Sequence, residues 1–160
     1  MTMPSLDSSP HNIANRSFAS VEASLAAKPS LLVPVAGLEP LGAAAALGCA
    51  NLVCQALAAQ TARRTDTLCA PLIALGASTP WQAFGGVGAV KARTLVNVLV
   101  EALESWRTQG FSRFYILDGM MENAGAVDDH RPGFGIHGLG IIGQVLQQIG
   151  PRGAQRLVTT

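Results

Sequence analysis

Two short, fully apolar runs limit the folds open to this chain of 160 residues. Leu31 to Val35 and Phe114 to Leu117 are each too short to be a helix, and neither alternates with polar residues. Such runs are typical of strands that are buried on both faces, as in a parallel sheet. Segments with helical spacing lie between them. The sequence therefore predicts an α/β fold, with helices on both faces of a mainly parallel sheet in three layers.

Hydrophobic spacing and the positions of Pro and Gly predict the remaining elements. The clearest helix precedes Gly110, because Leu95, Leu99 and Trp106 recur there at helical spacing. The expected helices cover 18–27, 43–62, 91–109 and 140–149, and further strands are expected at 68–75 and 156–158.

The N-terminal residues differ in composition from the rest of the chain. Residues 1–17 are rich in Ser, Pro and Asn, which is typical of a segment without a packed core. We expect a flexible N-terminal segment over 1–29. The remaining residues, 30–160, are enough for one domain.

Charge is scarce and balanced along the chain. Asp, Glu, Lys and Arg make up 13% of the residues, and the net charge is +1. The usual share is about a quarter. This balance argues against a nucleic-acid groove or a polybasic membrane patch. The mean hydropathy of +0.32 is high for so little charge, so we expect burial against other chains in a homo- or hetero-oligomer.

One uncharged stretch, Pro40 to Ala62, is long enough to raise the question of a membrane span. Its alanine-rich composition and its residues Asn51, Gln55 and Gln60 instead favour a buried core or interface helix. We therefore expect no membrane span.

The cysteines and the N-terminus bear on localisation. Cys49, Cys54 and Cys69 are odd in number and lack CxxC spacing, so we interpret them as free thiols in a reducing compartment. The first 30 residues lack the basic start and apolar run of a signal peptide. These features predict a cytoplasmic protein.

In a parallel α/β sheet, function is expected at the carboxyl ends of the strands. Here those ends are followed by residues 36–39 and 118–123. The first segment carries Glu39, and the second carries Asp118, Glu122 and Asn123. Carboxylate and amide groups are therefore expected at one edge of the sheet.

These strand-end segments resemble the creatininase (creatinine amidohydrolase) family of metal-dependent hydrolases that act on amide bonds. The family motif after the first strand is approximately PVGSxEQHGPHLPLGTD, and residues 34–50 are PVAGLEPLGAAAALGCA, of the same length. Residues 110–123, GFSRFYILDGMMEN, are similar to the family's GFRRIxxxNGHxxN. Residues 71–76, 84–86 and 137–151 keep the order and spacing of further family motifs, so the resemblance covers about 30–151.

The resemblance implies that most metal ligands of the family are missing. Its two-metal site uses Glu, His and Asp of the first motif, with His and often Glu of the second. Glu39 and Glu122 stand at ligand positions, whereas the other three positions hold non-ligating or soft side chains. Those three are Leu41, Ala50 and Met120.

Outside this set, a further histidine of the first motif falls on Ala44, and the acid of the family's HAGE motif falls on Gly140. His137 keeps the position of the HAGE histidine. Two glutamates are too few donors for two divalent ions. We therefore expect neither a metal nor another cofactor.

These residues predict a non-catalytic homologue with a creatininase-like fold shortened in its C-terminal part. Its vestigial pocket would contain Glu39, Asp118, Glu122, Asn123 and His137. Because family members form multimers, we expect this chain to act as a structural or regulatory subunit, with a full-length, metal-bearing paralogue as its partner.

Two alternatives stay open from the sequence. One is a metal-dependent amide hydrolase with a reduced site of Glu39, Asp118, Glu122 and His137. The other is a small-molecule binding module without turnover. A separate metal site at 128–130 (Asp-Asp-His) is also conceivable, but the adjoining glycines favour a solvated loop there.

Overall fold

The computed structural model describes residues 9–120, 122–123, 136–140 and 145–146. The helices of this part of the chain are α1 (Phe18–Ala27), α2 (Cys49–Thr65) and α3 (Ala92–Thr108), with 3-10 turns at Ile13–Asn15 and Thr79–Trp81. Its strands are β1 (Ser30–Val35), β2 (Leu68–Cys69), β3 (Arg113–Asp118), β4 (Ile136–Gly140) and β5 (Val145–Leu146).

The strands form one sheet in the order β2-β1-β3-β4-β5. β1 is parallel to both of its neighbours, with Leu32 opposite Cys69 and Val35 opposite Asp118. β4 is parallel to β3, and β5 runs antiparallel to β4. The predicted mainly parallel α/β sheet is confirmed. Because β2 and β3 lie on opposite sides of β1, the strand order reverses between β1 and β3.

One face of the sheet is covered by α2. Its buried residues recur every four positions, at Ala50, Cys54, Ala58 and Ala62, which places them on one side of the helix. Cys54, Ala58 and Ala62 pack in a cluster with side chains of β1 and β3, among them Leu117. All four are small, so the larger side chains of α2 lie elsewhere on the helix.

The other face is covered by α3 and α1. Leu95, Leu99 and Leu103 of α3 pack in one cluster with Val33 and Ile116 of the sheet. Val21 and Leu25 of α1 pack against the same cluster. Helices thus cover both faces, and the predicted three-layer arrangement is confirmed.

Helix α2 begins at Cys49 rather than at residue 43 as predicted. Gly42 has a φ of +85°, a backbone conformation that glycine adopts without steric cost. Residues 43–48 then form turns, although alanine has the highest helix propensity. The backbone of this loop is held by a hydrogen bond from the Glu39 N–H to the Leu47 carbonyl.

The predicted strand over 68–75 is regular only at its first two residues. Pro71 has no N–H to donate to a neighbouring strand. The chain nevertheless stays beside β1, because the Ile73 N–H donates to Pro34 O and the Ala36 N–H donates to Ile73 O. α3 and β3 agree with their predicted bounds to within a residue at each end.

The predicted helix over 140–149 is wrong where the chain is described. Gly140 ends β4, and residues 145–146 form β5. Glycine costs about 1 kcal/mol relative to alanine inside a helix, and glycines at 138, 140 and 143 weaken that helix. The strand predicted at 156–158 and the loop at 128–130 lie outside the described residues.

The described part of the N-terminal segment packs on the domain. α1 is confirmed, and Ser17 caps its first turn by accepting from the Ser20 N–H. Asn12 forms a parallel bridge with Cys69, whose N–H donates to the His11 carbonyl. Composition predicts no structure before residue 18, whereas His11 and Asn12 lie against Cys69 of β2. The domain boundary at residue 30 stays a prediction.

Among the described residues, no helix combines the length and the apolar character that crossing a bilayer requires.

Candidate functional site

The site lies where the strand order reverses, between the carboxyl ends of β1 and β3. In open α/β sheets, ligands bind at this kind of crevice. A hydrogen bond from the Gly119 N–H to Val35 O, 2.8 Å, holds the two strand ends together. Glu39 follows β1, and residues 118–123 follow β3. These two segments form two walls of the crevice, and the loop after β2, between Gly76 and Trp81, forms the third.

Asp118 is buried at the end of β3. Its Oδ1 accepts hydrogen bonds from the Met120 N–H and from Asn123 Nδ2, both at 3.0 Å. Burial raises the pKa of Asp118 to about 6, the two hydrogen bonds oppose that rise, and the nearby charge of Glu122 adds to it. The carboxylate therefore orders the turn after β3.

Asn123 connects this turn to the loop after β2. Its side chain is fully buried, and its Oδ1 accepts a hydrogen bond from the Ala77 N–H at 2.8 Å. Asn123 thus uses its amide nitrogen on Asp118 and its amide oxygen on Ala77. We call these three residues the Asp118–Asn123–Ala77 clamp.

Glu39 and Glu122 face each other across the crevice and interact electrostatically. Glu122 Oε1 accepts a hydrogen bond from Trp81 Nε1 at 2.8 Å. Its Oε2 is buried and has no hydrogen-bond partner within the described residues. Desolvation raises the pKa of Glu39, and the charge of Glu122 raises it further. The two carboxylates therefore interact through their charges, without a hydrogen bond between them in the part of the chain that the structure describes.

Met120 fills the space between the two loops that leave β1 and β2. The Ser78 hydroxyl donates to its Sδ at 3.7 Å. A Cβ added to Gly37 would collide with this sulfur, and one added to Gly76 would lie 3.1 Å from it. The Gly37 and Gly76 backbones also approach each other closely, since that Cβ of Gly37 would be 2.8 Å from the Gly76 nitrogen. A side chain at either glycine is therefore excluded.

Cys54 lies beneath the crevice but is unsuited to nucleophilic chemistry. Its Sγ is 3.5 Å from the carbonyl oxygens of Val35 and Leu117. Burial, with the neighbouring Asp118 charge second, raises the pKa of this thiol to about 12. A nucleophilic cysteine needs its thiolate form.

The donor set does not fit a two-metal centre. Leu41 is 52% exposed, Ala50 is buried in the first turn of α2, and Met120 is packed between glycines. The described residues contain no group of three or more His, Cys, Asp or Glu positioned to hold a metal ion. The two facing carboxylates leave most coordination positions of two divalent ions without a protein ligand.

Of the five predicted pocket residues, four lie together at the carboxyl edge: Glu39, Asp118, Glu122 and Asn123. His137 pairs in register with Tyr115, three residues before Asp118 along β3. At about 3.3 Å per residue, the backbone of His137 is therefore about 10 Å from that edge.

Sequence reasoning missed the contribution of the loop after β2. Trp81 donates to Glu122, and the Ala77 N–H donates to Asn123. The one signal in the sequence is the similarity of residues 71–76 to a family motif, which lies in this loop. Its partners lie more than 40 residues away, however, and a backbone N–H has no sequence signature.

Comparisons with known proteins agree on one family. The family model described as creatinine amidohydrolase matches residues 14–131. Among curated proteins, none matches this chain. Solved structures of creatininase are similar in fold: one mutant form has a TM-score of 0.69 at 20% identity, covering 81% of this chain and 57% of that one.

Two more creatininase structures are similar in fold to this chain. Another mutant form has a TM-score of 0.65 at 21% identity, with 74% of this chain and 50% of that chain covered. A structure described as creatinine amidohydrolase (creatininase) has a TM-score of 0.60 at 21% identity, with 73% and 49% covered. This chain thus spans about half the length of these proteins. Because the family model matches well over half of its residues, the chain belongs to the creatininase family.

Proposed function

We propose that this chain is a non-catalytic member of the creatininase family, a structural or regulatory subunit that assembles with an intact, metal-dependent amidohydrolase paralogue. One observation carries the proposal. The position that corresponds to a histidine ligand holds Met120, whose thioether is packed against Gly37 and Gly76. Without a bound metal ion, the site has no Lewis acid to polarise an amide carbonyl and no means of generating hydroxide near neutral pH.

The remaining polar groups of the site support the same conclusion. Asp118 and Asn123 are engaged in the clamp and are buried. Glu122 accepts from Trp81, and Glu39 has a raised pKa. These groups hold the loops at the carboxyl edge in place. In a non-catalytic subunit, they would maintain the shape of this surface without taking part in hydrolysis.

The surface around the site supports a subunit role. Leu41, Leu75 and Phe84 belong to loops at the carboxyl edge, and each is about half exposed. A partner chain that covered this edge would remove their apolar surface from water. Cys49 and Cys54 are thiols rather than disulfides, which supports a cytoplasmic location.

Metal analysis tests the loss of catalysis. We expect the purified chain, dialysed after exposure to Zn²⁺ and Mn²⁺, to retain well below one ion per chain. A variant that combines Leu41→His, Ala50→Asp and Met120→His is the matched comparison, and we expect it to retain more. Near-stoichiometric metal in the unmodified chain, with amide hydrolysis that Glu122→Gln abolishes, would refute the proposal.

Co-expression tests the subunit role. We expect a full-length creatininase-family paralogue to co-purify with this chain and the complex to contain metal only in the paralogue. Native mass spectrometry measures the copy numbers and the bound metal together. A chain that stays separate from the paralogue at micromolar concentrations would contradict the assembly.

A reduced-site hydrolase is the second candidate. The buried Oε2 of Glu122, which has no hydrogen-bond partner among the described residues, favours it, as does the electrostatic interaction of Glu122 with Glu39. A metal ion held by such a reduced site would polarise the amide carbonyl. This candidate predicts amide hydrolysis that requires an added divalent metal ion, with a loss of at least about a hundredfold in Glu39→Gln.

A further inference from the structure

A groove lies between helix α2 and the chain that leaves β2. It is lined by Ala58 and Ala59 of α2, by Cys69 of β2 and by Leu72, and it has a volume of about 290 Å³, part of which is open to solvent. Because alanine side chains end at Cβ, they leave the space between the helix and this edge of the sheet unfilled. We call this space the α2–β2 groove.

The size and the lining of the groove suit an apolar side chain. Pockets that hold small ligands usually have volumes of about 300–1,000 Å³ and enclose most of the ligand, whereas this groove is smaller and partly open. None of the residues that line it is charged, and burying a charged group there without a partner would be costly. An aliphatic side chain therefore fits the groove better than a small molecule or an ionised group.

Ser9 also lines the groove and is held in place beside it. Its carbonyl accepts hydrogen bonds from the Asn12 N–H at 3.0 Å and from Asn15 Nδ2 at 3.1 Å, and its hydroxyl accepts one from the His11 N–H at 3.4 Å. The described chain thus begins at a fixed point of the groove. Ser9 and the residues before it lie outside 14–131, the part that the family model matches, so membership of the family does not determine how they pack.

The backbone direction at Ser9 leads back along the groove. The hydrogen bond from the Asn12 N–H to Ser9 O closes a turn over 9–12, and Asn12 then runs parallel to β2 beside Cys69. A chain reverses its direction in such a turn, so a segment that leads into Ser9 approaches it from the carboxyl end of β2. Leu72, which lines the groove, lies beyond that end of the strand.

We infer that residues 1–8 fold back on their own domain and place the Leu6 side chain in the α2–β2 groove. Leu6 is three residues from Ser9 and hence within about 10 Å of it, at about 3.3 Å per residue. Alternate side chains of an extended chain point to opposite sides, so Asp7, the one charged side chain of this segment, faces water when Leu6 faces the groove. The short tether to Ser9 raises the effective concentration of the segment to about the millimolar range, so that a modest apolar contact keeps it in place.

Alkylation of the native cysteines tests this inference, which depends neither on metal binding nor on a partner chain. Cys69 lines the groove, whereas Cys49 and Cys54 do not. We expect Leu6→Ser to raise the rate at which N-ethylmaleimide modifies Cys69 by about tenfold, the factor by which the loss of a buried leucine side chain favours the open groove. The rates at Cys49 and Cys54 should stay unchanged, and the matched control Asp7→Ser should change none of the three. Mass spectrometry of the peptides measures each site. Equal Cys69 rates in Leu6→Ser and in the unmodified chain would overturn the inference.

Disulfide trapping provides a second and direct readout. We expect Leu6→Cys, oxidised with diamide, to form a disulfide with Cys69 of the same chain, and Asp7→Cys to form much less under the same conditions. A disulfide requires the two Cα atoms to lie within about 7 Å of each other, so this product places residue 6 at the groove. Equal trapping of the two variants would contradict the inference. A disulfide between two chains, with twice the 16.5 kDa mass of one chain, would assign the groove to a second copy and contradict it as well. Failure of the metal experiment would leave both of these readouts unaffected.

Discussion

Asn123 accepts a hydrogen bond from the Ala77 N–H at 2.8 Å while its amide nitrogen donates to Asp118 at 3.0 Å. One side chain therefore joins the end of β3 to the loop after β2. Because all three groups are buried, the removal of Asn123 leaves the Ala77 N–H without its acceptor and takes from Asp118 Oδ1 one of the two hydrogen bonds that it accepts.

We expect Asn123→Ala to lower the free energy of unfolding by about 2 to 4 kcal/mol, the cost of leaving buried polar groups unpaired. The matched control is Asn97→Ala on the exposed side of α3, which should change it by less than about 0.5 kcal/mol. Urea unfolding followed by circular dichroism measures both. Equal effects of the two substitutions would show that the clamp does not stabilise the fold.

The raised pKa of Asp118 makes stability depend on pH. The folded chain holds the Asp118 proton more tightly than the unfolded chain, with a pKa of about 6 against an ordinary value of 3.8. The resulting contribution to the free energy of unfolding is fully present below pH 3.8 and is lost as the pH rises through about 6. The loss is on the order of 2 to 3 kcal/mol.

Asp118→Asn isolates this effect, because the amide oxygen can accept the same two hydrogen bonds without a charge. Between pH 4 and pH 7, we expect the stability difference between variant and unmodified chain to grow by about 2 kcal/mol in favour of the variant. Unfolding by urea at several pH values measures the difference. If the difference is the same at pH 4 and pH 7, the carboxyl group does not titrate as described.

The packing of Met120 predicts a large effect of truncation. Met120→Ala removes the side chain that fills the space between Gly37 and Gly76, and we expect a loss of about 2 to 5 kcal/mol. Leu41→Ala, at a position that is 52% exposed, should cost less than about 0.5 kcal/mol. Thermal unfolding of both variants provides the test. A mild effect of Met120→Ala would mean that the crevice is not closed by this side chain.

The hydrogen bond from Trp81 to Glu122 predicts energetic coupling between the two residues. Trp81→Phe removes the N–H donor and leaves the Glu122 carboxylate without the one hydrogen-bond partner that it has among the described residues. In a double-mutant cycle with Glu122→Ala, we expect a coupling free energy of about 1 to 3 kcal/mol. Additive effects of the two substitutions would contradict a direct interaction.

The sequence predicts the sheet well because its signals are local. The apolar runs of β1 and β3 and the helical spacing of α3 each involve neighbouring residues. The same argument places Glu39, Asp118 and Asn123 at one edge, since parallel strands end together. The long-range contacts of Ala77 and Trp81 have no comparable signal. Helix propensity likewise predicts the start of α2 too early, at residue 43. Propensity does not include the hydrogen bond from the Glu39 N–H to the Leu47 carbonyl, which holds residues 43–48 in a loop.

The four small residues on the inner side of α2 also affect the crevice, although they do not line it. They let the helix axis approach the sheet closely, and Asn51 on the same helix is bonded to Ala74 in the loop after β2. A bulkier residue at Ala58 would push the helix outward and draw that loop with it. The distance between the crevice walls therefore depends on the small side chains between α2 and the sheet, which do not themselves line the crevice.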